Sequence, residues 1–129
     1  MSRMGTRPTF ATLPFYITER MAARTKILVV DSDLDSLSRV YLALVHRNYK
    51  VEATDKHEET IERIKRLKPS VVILGKHEFF SLNKELKVPV ILLLEKDDLS
   101  SITAHDELVL MDKHASIEKL IHAIEDLVI

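Results

Sequence analysis

Short runs of aliphatic residues alternate along this chain with longer stretches in which apolar residues recur every three or four positions. Lys26–Val30 is an almost unbroken apolar run, which is typical of a strand buried on both faces. A helix is predicted next over 35–46, with an apolar stripe formed by Leu37, Val40, Tyr41 and Leu44. This alternation predicts a parallel sheet covered by helices.

The later elements repeat the pattern and predict an α/β three-layer sandwich around a five-stranded parallel sheet. The other four strands are predicted at Val51–Thr54, Val71–Leu74, Pro89–Leu94 and Leu108–Met111. Asp55 is predicted to cap the second helix, with Glu58 in the reciprocal position, and Ser116 to cap the last one. The third and fourth connections are short, so the helices in them are predicted to be shortened.

The chain divides into two parts of different composition. Residues 1–25 carry four arginines against one glutamate and show no sustained apolar period. We expect them to form an N-terminal arm that is flexible or loosely docked, whereas 26–129 form the domain. Two alternatives stay open: translation starts at Met21, or the segment is a targeting peptide that is cleaved off.

Composition excludes several kinds of chemistry. The chain has no cysteine, which removes disulfides and thiolate ligands, and its only glycines, Gly5 and Gly75, cannot form a glycine-rich nucleotide loop. A net charge of -1 gives no general attraction to nucleic acid or to an anionic membrane. We therefore expect a cytoplasmic protein that binds neither.

Charged residues follow the strands at the edge where ligands bind in open parallel sheets. Asp31 and Asp33 follow the first strand, Lys76 the third, Glu95 the fourth and Lys113 the fifth. Acids grouped beside lysines are what a divalent cation and a phosphoryl group require.

Four segments in this order resemble the receiver domain of two-component response regulators. They are ILVVDSD at 27–33, KPSVVIL at 68–74, VPVILLL at 88–94 and LVLMDK at 108–113. The resemblance covers 26–129 and implies a flavodoxin-like fold with strand order 2-1-3-4-5. It also implies signal transduction through phosphate accepted on an aspartate.

Compared by position with that family, most of the phosphorylation site is missing. Asp31 matches the first metal-binding acid, but Ser32 stands where the second acid belongs. Gly75 occupies the phospho-acceptor position and Leu94 the hydroxyl switch position, so Lys113 alone matches a fully retained residue. Glycine cannot carry an acyl phosphate and leucine cannot hydrogen-bond a phosphoryl oxygen. The chain is thus predicted to be a degenerate pseudo-receiver.

With two acids missing, the site has less need of a cation. Lys113 is expected to form an ion pair directly with Asp31 or Asp33. Asp31 and Asp33 are therefore only weak candidates for binding Mg²⁺, and no bound cofactor is predicted.

A domain without this chemistry is expected to act through its surface, as a protein interaction module and not as an enzyme. The resemblance places the partner surface within 97–128, where we select Leu99, Ile102, His122 and Glu125. The partner is another protein or a second copy of this chain. Two alternatives stay open: an atypical receiver that responds to phosphate or metal through other residues, and a small-molecule binder that uses the crevice at the strand ends.

Overall fold

The computed structural model describes residues 24–82, 86–98 and 108–128 of the chain. Their strands are β1 (Lys26–Val30), β2 (Lys50–Thr54), β3 (Val71–Gly75), β4 (Val90–Leu94) and β5 (Leu108–Asp112). Their α-helices are α1 (Leu34–His46), α2 (Thr60–Leu67), α3 (Lys76–Leu82) and α4 (Ile117–Val128). Short 3-10 helices occur at His57–Glu59 and Lys96–Asp98. The predicted arm lies almost wholly outside the described residues and stays a prediction.

The five strands form one parallel sheet in the order β2-β1-β3-β4-β5. This confirms the predicted fold class and strand order, in which β2 lies at an edge of the sheet. The third helix is short as predicted, with seven residues. The fourth connection has the 3-10 helix Lys96–Asp98, and its other residues, 99–107, lie outside the described ones.

The sheet separates two apolar clusters because alternate residues of each strand point to opposite faces. Ile27 and Val29 of β1 pack in one cluster with α1 and α4. Leu28 and Val30 pack in the other, against partly buried residues of α2 and α3. Both faces of β1 are buried, as the unbroken apolar run predicted. No helix in the described ranges has the length and hydropathy to cross a bilayer.

The helix caps confirm one of two predictions and correct the other. Ser116 Oγ accepts the Lys119 amide at 3.2 Å at the start of α4, and α1 begins one residue before the predicted range. Asp55 does not cap the second helix. Thr54 Oγ1 instead accepts the Lys56 amide at 3.1 Å, and a 3-10 turn precedes α2.

Candidate functional site

The carboxyl ends of the strands surround a pocket of about 210 Å³. The fold brings four of the five predicted site positions into its lining, because parallel strands end at the same edge of the sheet. The lining residues are Asp31, Ser32, Asp33, Gly75, Lys76, His77, Glu78, Leu93, Glu95 and Lys113.

Leu94, the fifth predicted position, is fully buried in the cluster beneath α2 and α3. Its side chain is therefore part of the core, and the structure supplies no hydroxyl at the end of β4.

A close ion pair holds the lysine at the end of β5. Lys113 Nζ donates to Asp33 Oδ2 at 2.6 Å, so of the two pairings left open by the sequence the structure has the one with Asp33. Asp33 also caps α1, since its Oδ1 accepts the amides of Asp35 and Ser36. The hydrogen bond from Lys113 lowers the pKa of Asp33, and the same bond raises the pKa of Lys113. Both oxygens of Asp33 are thus engaged within the protein.

Asp33→Asn is expected to lower the free energy of unfolding at pH 7 by about 0.5–1 kcal/mol, because the amide keeps a capping oxygen but loses the charge that pairs with Lys113. The magnitude is small because 41% of the Asp33 side chain is exposed. Because the pKa of Asp33 is lower in the folded state than in the unfolded state, its carboxylate stabilises the fold at pH values above the unfolded-state pKa. This stabilisation is lost as the pH falls through the folded-state pKa. The difference should therefore begin to decrease as the pH falls below about 4 and disappear below the lowered pKa of Asp33 in the folded state, as measured by denaturation curves. The control is Asp35→Asn in the same helical turn, and equal pH profiles for both variants would contradict the role of the pair.

Asp31 lies deeper in the pocket, with 6% of the residue exposed. Its Oδ1 accepts the Asp33 amide at 3.0 Å. Burial raises the pKa of Asp31, and the nearby charge of Glu78 acts in the same direction. Ser32, the next residue, is exposed and adds no acid.

Sequence analysis missed Glu78, which is the most deeply buried acid of this pocket. Only 1% of the residue is exposed, and neither carboxylate oxygen has a hydrogen-bond partner among the described residues. It is the third residue of α3, which begins directly after β3. Because helical side chains lean toward the amino end of their helix, Glu78 points back over the strand end.

Glu78 explains why residue 75 is a glycine. A Cβ atom on Gly75 would lie 2.5 Å from Glu78 Oε1 and 2.7 Å from Asp31 Oδ1, and Cβ atoms in folded proteins do not approach other atoms so closely. Gly75 does not have a positive φ, so its backbone conformation is also accessible to other residues. The space of the missing side chain is taken by two carboxylates. A glutamate three residues after a strand-ending glycine was the signal available in the sequence.

The pocket is a poor match to a divalent cation. Mg²⁺ and Ca²⁺ take about six to eight oxygen ligands, of which proteins usually supply several. In the described ranges no three acidic or histidine side chains converge, and Asp33 is engaged by Lys113. Asp31 and Glu78 would be the available carboxylates.

The selected partner surface is only partly within the described residues. His122 is exposed on α4 and Glu125 is half-buried there, whereas Leu99 and Ile102 lie outside. Large exposed apolar side chains occur elsewhere: Leu34, Tyr41, Leu42 and Val45 on α1, and Phe80 on α3. Tyr41 was predicted on the core stripe of its helix, and 36% of it is exposed instead. Leu37, Val40 and Leu44 suffice to cover the sheet.

A larger groove of about 430 Å³ lies beside the edge strand β2 and is lined in part by Leu37, Tyr41 and Val51. Its charged groups pair with each other, since Arg63 Nη1 lies 3.0 Å from Glu52 Oε1. The strand-end pocket, whose acids are not all paired, is therefore the better candidate for a functional site.

No protein-family model and no curated protein matches the sequence. Solved structures of response regulator receiver domains share the fold. A signal receiver domain from Bermanella marisrubri has a TM-score of 0.66 at 19% identity, over 81% of this chain and 98% of that one. A receiver domain protein from Clostridium thermocellum has a TM-score of 0.65 at 19% identity, over 81% of this chain and 94% of that one.

A receiver-modulated diguanylate cyclase from Pelobacter carbinolicus also matches, with a TM-score of 0.59 at 23% identity over 81% of this chain and 95% of that one. Likeness at these identities establishes the fold, so residues that the structure describes have the receiver fold.

Proposed function

We propose that this chain is a cytoplasmic pseudo-receiver, a non-catalytic module of signal transduction that binds a protein without being phosphorylated. The observation that carries the proposal is Gly75 at the end of β3, with Glu78 and Asp31 filling the space above it. A residue without a side chain cannot form an acyl phosphate, and the neighbouring carboxylates repel a phosphoryl group.

Two further contacts support independence from phosphate. Lys113 is engaged by Asp33 at 2.6 Å, so its ammonium already has an anionic partner. Leu94 is buried in the core and offers no hydroxyl to a phosphoryl oxygen. Neither Lys113 nor Leu94 is therefore available to bind a phosphoryl group in the pocket.

Protein binding is the use that we propose for such a domain, and its surface supports this role. Leu34, Leu42 and Val45 of α1 are exposed and do not take part in packing against the sheet, so they are available for contact with a protein. The surface selected from the resemblance, which includes His122 and Glu125, stays part of the proposal, and the partner is another protein or a second copy. With a net charge of -1, nucleic acid and membrane surfaces are not proposed as partners.

A second candidate is an atypical receiver that binds phosphate or a divalent metal through other residues. The unpartnered oxygens of Glu78 beside Asp31 favour it. A titration with Mg²⁺ and beryllofluoride separates the two functions. We expect no saturable change at the amides of Asp31, Gly75 and Lys113 in NMR spectra when beryllofluoride is added, because residue 75 itself has no side-chain carboxylate to which it could attach.

Mg²⁺ alone and fluoride alone serve as controls for weak ionic effects in that titration. Saturable shifts that require both Mg²⁺ and beryllofluoride would rank the atypical receiver above the silent module.

A further inference from the structure

The acids of the strand-end pocket differ in whether they have a cationic partner. Asp33 pairs with Lys113, and Glu95 lies 3.7 Å from Lys113 and 3.4 Å from His114. Within the described ranges, Asp31 and Glu78 form no ion pair with any lysine, arginine or histidine. The pocket therefore contains two buried acids without a direct ion pair, and the charge of Lys113 acts on Asp31 only from beyond ion-pair distance.

Glu78 is the stronger indication of a missing ligand. Buried carboxylates in proteins are normally hydrogen-bonded and paired, because removal from water without compensation is costly. Both Glu78 oxygens are buried and unpartnered, and the residue lines an open pocket. An entering cation would find Glu78 and Asp31 as its anionic partners.

The structure favours a planar cation over a metal ion. Lys113 lies in the same lining, and its charge repels a divalent ion more than a monovalent one. A guanidinium group presents several N–H donors in one plane and can donate to two carboxylates together. It is also less strongly hydrated than an ammonium group, which lowers the cost of entering a pocket of about 210 Å³.

We propose that this pocket binds the guanidinium group of an arginine side chain on the protein partner, with Glu78 and Asp31 as its acceptors. The inference rests on the proposed function, since it names the chemistry by which that partner is recognised. Asp33 and Lys113 frame the site, and the ammonium of Lys113 donates to Asp33 and not to Asp31 or Glu78.

The test uses the full chain and blocked arginine, Nα-acetyl-arginine amide, as the probe. Carboxyl and amide NMR signals of Glu78 and Asp31 should shift saturably, with an affinity of about 1 mM, as suits a single side chain. Nα-acetyl-lysine amide and Mg²⁺ should each bind at least about tenfold more weakly. Equal or tighter binding of either would overturn the assignment to a guanidinium.

Glu78→Gln should weaken arginine binding at least about tenfold, because the uncharged amide cannot form the ion pair. Glu58→Gln, at an exposed acid of the neighbouring 3-10 turn, is the matched control and should leave binding unchanged. Since glutamine is isosteric with glutamate, thermal unfolding should show that Glu78→Gln remains folded. Equal binding by both variants would mean a nonspecific attraction and would overturn the proposal.

One more variant distinguishes the source of the arginine. If Arg3→Gln with Arg7→Gln moves the Glu78 signals without added probe, the chain's own arm occupies the pocket and a partner's arginine is excluded. A negative arginine titration together with a negative beryllofluoride titration overturns this inference and leaves the pseudo-receiver proposal intact.

Discussion

Gly75→Asp is expected to lower the free energy of unfolding by about 3 kcal/mol or more, since it adds steric overlap and a third buried acid to one site. Its Cβ would lie 2.5 Å from Glu78 Oε1 and 2.9 Å from Asp31 Cγ. Glu78 is buried, with 1% of the residue exposed, so its carboxylate must be displaced within the fold or into the pocket to make room. Chemical denaturation at neutral pH measures the loss.

A double-mutant cycle with Glu78→Ala shows whether the glutamate is the cause. Removing the Glu78 side chain should recover part of the loss, with a coupling of about 1–3 kcal/mol between the two substitutions. Gly75→Ala in the same cycle separates steric overlap from added charge. Strictly additive effects would mean that Gly75 is required for a reason other than Glu78.

Leu44→Ala is expected to cost about 2–5 kcal/mol of stability, because it removes buried methyl groups and leaves a cavity. Leu44 is fully buried on α1 and belongs to the apolar cluster that also contains Ile27, Ile73 and residues of α4. The free energy of unfolding from urea titration is the measurement. Leu42→Ala on the same helix is the matched control, because 64% of Leu42 is exposed and the change in helix propensity is identical.

Leu42→Ala should change the stability by no more than about 0.5 kcal/mol, as is usual for an exposed position. Similar losses in both variants would contradict the burial that separates them. A large loss at Leu42 alone would mean that the exposed side of α1 is covered in solution, by the arm or by a second copy.

The fold could be predicted from the sequence because its signals are local and repeated. Lys26–Val30 and Val71–Leu74 are apolar without alternation, which requires a strand covered on both faces. The order of motifs from Asp31 to Lys113 then indicated the receiver topology. Ser116 was recognisable as a cap because capping depends on residues within one helical turn.

Two local predictions were less accurate, for a physical reason in each case. Asp55 has a suitable side chain for a cap, but the Thr54 hydroxyl takes the nearby Lys56 amide and the chain forms a 3-10 turn before α2. Tyr41 fits the period of the core stripe, but it lies on the flank of α1, where 36% of it is exposed. The periodicity of a helix does not determine where its buried face ends.

The sequence by itself determined that Gly75 cannot accept a phosphoryl group, since this follows from the identity of one residue. It also determined that Lys113 would pair with an acid of the first loop. Only the tertiary structure decided that the acid is Asp33, and that Glu78 and Asp31 fill the space above Gly75. The spacing of Glu78 from Gly75 is compatible with those contacts, but they depend on how α3 leaves β3 and on which oxygens are already engaged, which the spacing alone does not determine.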